Sequence, residues 1–320
     1  MAALLGKLVD RANADLVRMR AGRRPLVPDS NAVRNALDTL PADLFARDPE
    51  DEPIEPVRVG AAARVERWAD RGSDWSATRA RAATRQRAPA VVVLHGWLAV
   101  GLQMMALRAL MRPLRGSGVE LWYPWLPAHG PRTPAGSVSG VDCLSADMPR
   151  TALAIRRGVL ETLELARWLR ARGQPVAIVG VSLGGWIAAL SATEAADFER
   201  VVLYTPVVDP ARSFAESPLV DHIRSGLAAS SVQPELTAEL LARVAPMARP
   251  LQVPRSQVLL LGARHDNVVA PDSLRATAQS WGCDLEWLDA GHITAQWSPT
   301  GRRQARQWLA EVAARDVAVG

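Results

Sequence analysis

The sequence predicts an α/β protein built on a doubly wound, mostly parallel sheet. Short apolar runs alternate along the 320 residues with longer segments of helical periodicity. Several of these runs, such as residues 89–94 and 176–179, are continuously apolar, as expected of parallel strands covered on both faces. This alternation favours one sheet with helices packed on both sides.

The pattern divides the chain into an N-terminal extension, residues 1–56, and a main domain, residues 57–320. The extension is expected to be helical to about residue 40, followed by an acidic, proline-rich, solvated linker. Residues 206–254 carry two helical patterns that interrupt the strand rhythm, which predicts a small helical cap. The predicted strands span residues 63–68, 75–82, 89–94, 120–123, 176–179, 201–204, 258–261 and 285–288. The predicted helices of the main domain span residues 102–114, 149–172, 184–196, 271–281 and 297–314.

Composition excludes several classes of protein. Hydrophobic residues make up 48% of the chain, enough for a sizeable core, and the formal charge is +5. No basic run interleaved with aromatic residues is present, so we expect no nucleic-acid partner. Two cysteines in a chain of this length do not make a disulfide scaffold, and the five histidines lack metal-ligand spacing.

The first twenty residues have the pattern of an amphipathic helix. We expect it to pack on the domain; a helix lying on a membrane surface or on a partner is the alternative. Charged residues at Lys7, Asp10 and Arg11 interrupt what would be the apolar core of a signal peptide, and no stretch reaches 18 apolar residues. We therefore expect a cytoplasmic protein. The apolar positions at helical spacing are Leu4, Leu5, Leu8, Val9, Ala12, Leu16 and Val17.

The most informative stretch, residues 175–190, reads PVAIVGVSLGGWIAAL. A buried strand, a glycine-flanked serine and an apolar helix form the context that a G-x-S-x-G nucleophile elbow requires. Side chains at Gly180 and Gly184 would clash across so sharp a turn. Ser182 is therefore the predicted nucleophile.

A serine hydroxyl is a weak nucleophile unless a histidine takes its proton and a carboxylate orients that histidine. Two later strands each end near a suitable group, Asp266 and then His292. Parallel strands deliver such side chains to one edge of the sheet, so we predict a Ser182–His292–Asp266 triad. Asp209 is the alternative acid, and His265 the alternative base.

The negative charge that develops on a substrate carbonyl needs two amide donors. The amide of Leu183, at the start of the helix after Ser182, is one. The loop His95-Gly96-Trp97 ends a predicted central strand, and Gly96 lets its backbone approach closely. We predict Trp97 as the second donor, with Leu98 as the alternative, and a bracing role for His95.

Together, these motifs resemble the α/β-hydrolase superfamily over about residues 57–316. A second stretch, His129-Gly130-Pro131-Arg132-Thr133-Pro134-Ala135-Gly136 with Ser139-Gly140, resembles the subgroup typified by abhydrolase domain-containing protein 18. The resemblance implies an α/β-hydrolase fold, and that subgroup is associated with lipid acyl esters.

We predict substrate-binding roles for His129 and Arg132, because a guanidinium holds a carboxylate or phosphate bidentately. A solvated arginine in a surface loop is the alternative for Arg132. Trp125 is expected to line an acyl pocket.

These observations predict a serine hydrolase that cleaves small-molecule or lipid esters without a metal or organic cofactor. A thioesterase or peptidase of the same fold, and a non-catalytic scaffold, are the alternatives. The oligomeric state is left open.

Overall fold

The computed structural model describes residues 2–21, 30–41, 43–47, 52–62, 65–80, 87–98 and 102–315. These residues form nine strands and ten α-helices. The strands are β1 (Pro56–Ala62), β2 (Val65–Asp70), β3 (Ser76–Ala80), β4 (Ala90–Leu94), β5 (Glu120–Pro124), β6 (Val176–Val181), β7 (Arg200–Tyr204), β8 (Val258–Ala263) and β9 (Asp284–Leu288). The helices are α1 (Ala2–Ala21), α2 (Ser30–Thr39), α3 (Leu102–Met111), α4 (Met148–Ala171), α5 (Leu183–Glu194), α6 (Pro210–Glu216), α7 (Asp221–Ala228), α8 (Pro234–Arg243), α9 (Pro271–Trp281) and α10 (Pro299–Arg315).

All nine strands belong to one mixed sheet, in the order β1-β2-β3-β5-β4-β6-β7-β8-β9. The pairings that involve β1, β2 and β3 are antiparallel, and those from β5 through β9 are parallel. Every residue of β4, β6, β7 and β8 is buried, as continuous apolar strands covered on both faces should be. The predicted fold class is therefore confirmed.

The strand order turns at β4, because β5 lies on one side of it and β6 on the other. The loops that leave β4 and β6 therefore diverge at the carboxyl edge of the sheet. This is the position at which open α/β sheets bind ligands.

The first 62 residues differ from the prediction in two respects. First, β1 was not predicted, because this edge strand is mostly exposed and carries no clear apolar alternation. Second, the predicted solvated linker contains Leu44 and Phe45, which are buried in the core.

The predicted cap region forms α6, α7 and α8. Helix α1 packs on the short 3-10 turn Pro218–Val220 that precedes α7, as well as on α7 itself. The N-terminal helix is thus packed on the domain, but of the apolar positions in the predicted pattern only Val17 is buried. Its buried residues are Gly6, Asp10, Ala14 and Val17, whereas Leu4, Leu5, Leu8, Leu16 and Met19 are exposed.

Among the described residues, no helix has both the length and the apolarity needed to cross a bilayer. Cytoplasmic localisation stays a prediction.

Candidate active site

Ser182 lies between β6 and α5 in a strained backbone conformation, with φ 54° and ψ −112°. The flanking glycines make this turn possible. A Cβ atom on Gly180 would lie 2.2 Å from the carbonyl oxygen of Gly184, and one on Gly184 would lie 2.4 Å from that of Leu94. The Ser182 amide donates to the carbonyl of Tyr204 at 2.9 Å, which ties the turn to β7.

The structure brings the three predicted triad residues together from separate loops. The Oγ atom of Ser182 lies 2.8 Å from Nε2 of His292, in the loop after β9. Nδ1 of His292 lies 2.8 Å from Oδ2 of Asp266, in the loop after β8. The other oxygen of Asp266 accepts hydrogen bonds from the amides of Val268 and Val269, at 2.7 and 2.8 Å. These two amides fix the direction of the carboxylate.

The electrostatics of His292 suit a general base. Because the Asp266 carboxylate accepts the Nδ1 proton, Nε2 is left to accept the proton of the Ser182 hydroxyl. Burial acts to lower the pKa of His292, but the Asp266 carboxylate, with help from Asp10, outweighs it and raises that pKa above 6.5. The side chain of Asp266 is fully buried, so it acts without screening by solvent.

The alternative acid and base have other partners. Asp209 caps α6 by accepting the Arg212 amide at 3.1 Å, and it also accepts the hydroxyl of Ser273 at 3.2 Å. His265 pairs with the exposed Asp289 at 2.8 Å.

The loop after β4 lies against Ser182, since a Cβ atom on Gly96 would be 3.7 Å from Cβ of Ser182. The Leu98 amide, the alternative oxyanion donor, is already used: it donates to Nε2 of His129 at 3.2 Å. The indole of Trp97 donates to the carbonyl of Gly140 at 2.7 Å, which fixes the residue whose amide is the predicted donor. Leu183 is the first residue of α5, and the amides at a helix N-terminus stabilise negative charge.

Two buried histidines brace this loop. Nδ1 of His95 donates to the carbonyl of Gly96 at 2.8 Å, and its Nε2 accepts the Leu126 amide at 3.1 Å. Nδ1 of His129 donates to the carbonyl of Pro127 at 2.8 Å. Burial lowers the pKa of His95 to about 4 and that of His129 to about 3, so both rings are neutral at physiological pH. The predicted contact of His129 with substrate is not supported by its position, because its side chain is enclosed and accepts the Leu98 amide.

The predicted anion clamp at Arg132 is likewise not supported by the position of the side chain. Its guanidinium is fully buried and forms a bidentate ion pair with Glu161, with both N–O distances at 2.7 Å. It also contacts Asp74 at 2.9 Å and donates to the carbonyl of Trp125 at 2.7 Å. Arg132 therefore has a structural role: its ion pairs hold its own loop against α4.

The tryptophans divide between pocket and core. Trp97 lines the cavity at Ser182 and stacks on the ring of His222. Trp125 is not among the residues that line this cavity; it packs against Gly130 and lies 5.5 Å from the ring of His95. The predicted pocket role of Trp125 is therefore not supported by its position.

The cavity beside Ser182 has a volume of about 30 Å³. Its walls come from the β4 and β6 loops and from the loop of His292. Its roof comes from Asn13 and Val17 of α1 and from Leu219 before α7. A space of this size holds about one water molecule.

One residue that contacts the site, Asp10, was not predicted from the sequence. The buried carboxylate of Asp10 accepts the amides of His292 and Ile293, each at 3.0 Å. The available signal was its position in the helix: Asp10 shares a face with Gly6, Ala14 and Val17, where the sequence otherwise carries small or apolar residues.

No protein-family model matches the sequence, and no curated protein matches it either. Solved structures do match. Acetyl xylan esterase 1 from a Thermoanaerobacterium species is 17% identical over 93% of this chain and 98% of its own, with a TM-score of 0.61. Acetyl xylan esterase from a Paenibacillus species is 15% identical over 90% of this chain and 96% of its own, with a TM-score of 0.59. Monoglyceride lipase from Saccharomyces cerevisiae is 13% identical over 84% of this chain and 98% of its own, with a TM-score of 0.52. The predicted resemblance to the subgroup of abhydrolase domain-containing protein 18 stays a prediction.

The sheet order and these similarities show that the chain has the α/β-hydrolase fold.

Proposed function

We propose that the protein is a serine hydrolase that cleaves acyl esters through an acyl-enzyme on Ser182. One observation carries the proposal: Ser182, His292 and Asp266 form a continuous hydrogen-bonded chain, with both links at 2.8 Å. This arrangement supplies a nucleophile, its base and the group that orients the base.

In the first half of the reaction, Ser182 Oγ attacks the ester carbonyl while His292 Nε2 takes the hydroxyl proton. The Asp266 carboxylate stabilises the resulting imidazolium and keeps its orientation. His292 then gives the proton to the leaving alcohol as the ester C–O bond breaks. In the second half, a water molecule repeats the attack on the acyl-enzyme and releases the acid and free Ser182.

The tetrahedral oxyanion is stabilised by the amides of Trp97 and Leu183. The Leu98 amide is unsuited to this task because it already donates to His129. Removal of a single such donor typically lowers the rate by a factor of ~10²–10³. The loop that fixes Trp97 therefore contributes to catalysis by holding this donor in place.

Structural neighbours support acyl-transfer chemistry of this kind, since those of comparable length include esterases and a lipase. Peptidases of the same fold also match, but this chain covers only 40% of the acylaminoacyl peptidase from Pyrococcus horikoshii. The small cavity at Ser182 favours a short acyl group over a polypeptide segment. Ester hydrolysis is therefore the function that we propose.

A substrate panel tests this proposal. Nitrophenyl esters, matched thioesters and peptide nitroanilides should be assayed with the wild-type protein and with Ser182→Ala. We expect the short esters to give the highest kcat/KM, with loss of turnover in the variant. Faster cleavage of thioesters would identify a thioesterase instead, and faster cleavage of anilides would identify a peptidase. Equal rates for both proteins, or no turnover of any substrate, would contradict it.

A further inference from the structure

The N-terminal helix touches the candidate active site through Asp10. Asp10 is 1% exposed, and its two carboxylate oxygens accept two successive amides, those of His292 and Ile293, at 3.0 Å each. These amides belong to the loop that carries the proposed base. A carboxylate with both oxygens engaged in this way sets the position of the loop backbone.

A close backbone approach reinforces this contact. A Cβ atom added to Gly6 would lie 2.6 Å from the nitrogen of Gly291, and one added to Gly291 would lie 2.7 Å from Cα of Gly6. Gly6 and Asp10 are four residues apart, on one face of α1. Any larger side chain at Gly6 would force α1 away from the loop and separate Asp10 from the two amides.

We propose that Asp10 is a positioning residue, through which α1 fixes the His292 loop and completes the active site. This inference rests on the proposed function. Asp10 does not touch the reacting atoms; it acts on His292 by holding its backbone and by adding a second negative charge nearby. The titratable groups that face the His292 ring are Ser182, Asp266 and Asp10.

Replacing Asp10 with Asn removes the charge and leaves one oxygen for two amides. Because the Asp10 charge helps to raise the pKa of His292, this pKa should fall in Asp10→Asn. Asp15→Asn is a matched control, since Asp15 lies on the same helix, carries the same charge and is exposed. We expect no shift in the control, because solvent screens an exposed charge.

The decisive measurement is an NMR titration of the His292 ring, assigned with the help of His292→Gln, in the wild-type protein and both variants. It needs no substrate, so it tests Asp10 even if the proposed esterase activity is absent. We expect a lower midpoint for Asp10→Asn only, together with a fall in kcat of about tenfold or more on any cleaved ester, since misplacement of catalytic groups lowers the rate steeply. Identical midpoints for all three proteins would overturn the proposal, as would a shift of equal size in Asp15→Asn.

A second inference comes from the opposite face of α1. Five large aliphatic side chains face outward there, and they make up half of the large apolar side chains that are exposed in the described part of the chain. They are Leu4, Leu5, Leu8, Leu16 and Met19, with 39–66% of each residue exposed. Exposed patches of this kind mark binding surfaces.

Cationic residues border this outer face. Lys7, Arg11 and Arg18 follow one another at spacings of four and seven residues, which places them along one line of the helix. Lys7 and Arg11 are exposed, whereas Arg18 pairs with Asp221 at 3.0 Å. One acidic residue, the exposed Asp15, lies seven residues after Leu8 on the outer face and offsets part of this positive charge. An apolar stripe bordered by cations complements an anionic lipid surface.

We propose that the outer face of α1 docks on anionic membranes. The buried inner face anchors the helix, so the leucines enter the lipid without moving Asp10. This inference is independent of the catalytic proposal, because it concerns only the exposed side of α1.

Cosedimentation with vesicles tests it, using phosphatidylglycerol and phosphatidylcholine in equal amounts, against phosphatidylcholine alone. We expect binding to the anionic vesicles, weakened about tenfold or more in Leu4→Ser/Leu8→Ser and reduced by salt. Val59→Ser/Met105→Ser, which changes two exposed apolar residues elsewhere, is the matched control and should bind like the wild type. Equal binding by all three proteins, or equal binding to both vesicle types, would overturn the proposal. A dimer that is lost only in Leu4→Ser/Leu8→Ser would identify a second copy as the occupant and would also overturn it.

Discussion

Arg132 and Glu161 form a bidentate ion pair inside the protein, where the Arg132 side chain has no exposed surface. Burial raises the pKa of Glu161 above its ordinary value, although the guanidinium opposes this effect. Because Arg132 belongs to the loop of residues 129–140 and Glu161 to α4, the pair anchors this loop to the helix.

Arg132→Ala should accordingly destabilise the fold without changing substrate preference. Loss of Arg132 leaves the mostly buried Glu161 carboxylate paired only with the partly exposed Arg157, at 2.9 Å. Because breaking a buried pair typically costs about 3–5 kcal/mol, we expect a loss in the free energy of unfolding at the lower end of that range. Urea denaturation measures this cost, and kcat/KM on a charged and a neutral ester measures selectivity. A selective loss on the charged ester, with unchanged stability, would restore the anion-clamp role.

Asp266→Asn should lower kcat by about 10⁴-fold, because the amide no longer enforces the tautomer of His292 that accepts the serine proton. His292→Ala should be at least as severe, since triad members act as a unit. Steady-state kinetics on one ester measures both. Asp209→Asn is the matched control, because Asp209 is also an aspartate in a loop near this sheet edge, where it caps the N-terminus of α6. We expect normal turnover in this variant. The reverse pattern would show that Asp209 is the acid.

The acid limb of kcat/KM should lie above pH 6.5. His292 accepts the serine proton only when neutral, so the rate falls as the pH drops through its pKa, which Asp266 and Asp10 raise against the effect of burial. His95 and His129 titrate far below this range and should not contribute to the limb. A pH–rate profile measures the midpoint. A rate that stays flat down to pH 4 would argue against a histidine base.

Val17→Ala/Leu219→Ala should shift preference toward longer acyl chains. Both side chains roof the cavity of about 30 Å³ at Ser182, and their truncation makes room for additional methylene groups. The ratio of kcat/KM for a butyryl ester to that for an acetyl ester should rise about tenfold. An unchanged ratio would place the acyl group outside this cavity.

The sequence predicted the features whose causes are local. Gly180 and Gly184 are required by contacts within the turn itself, and the order of Asp266 and His292 after strand ends follows from the alternation of strands and helices. The central strands were predictable for the same reason, since continuous burial leaves a continuous apolar run.

The errors concern contacts between distant residues. Arg132 could be read as an anion clamp because its partners, Glu161 and Asp74, lie 29 and 58 residues away. Asp10 meets His292 across 282 positions, and no spacing rule connects them. The face of α1 was misassigned because its leucines suggested burial, whereas small residues at Gly6 and Ala14 permit the close approach.

The most direct test of the account is covalent labelling with a fluorophosphonate, read out by intact mass and peptide mapping. We expect a single adduct on Ser182 of the wild-type protein, slow labelling of His292→Ala and no adduct on Ser182→Ala. A wild-type protein that stays unlabelled, or an adduct on another residue that persists in Ser182→Ala, would contradict the proposal that Ser182 is an activated nucleophile.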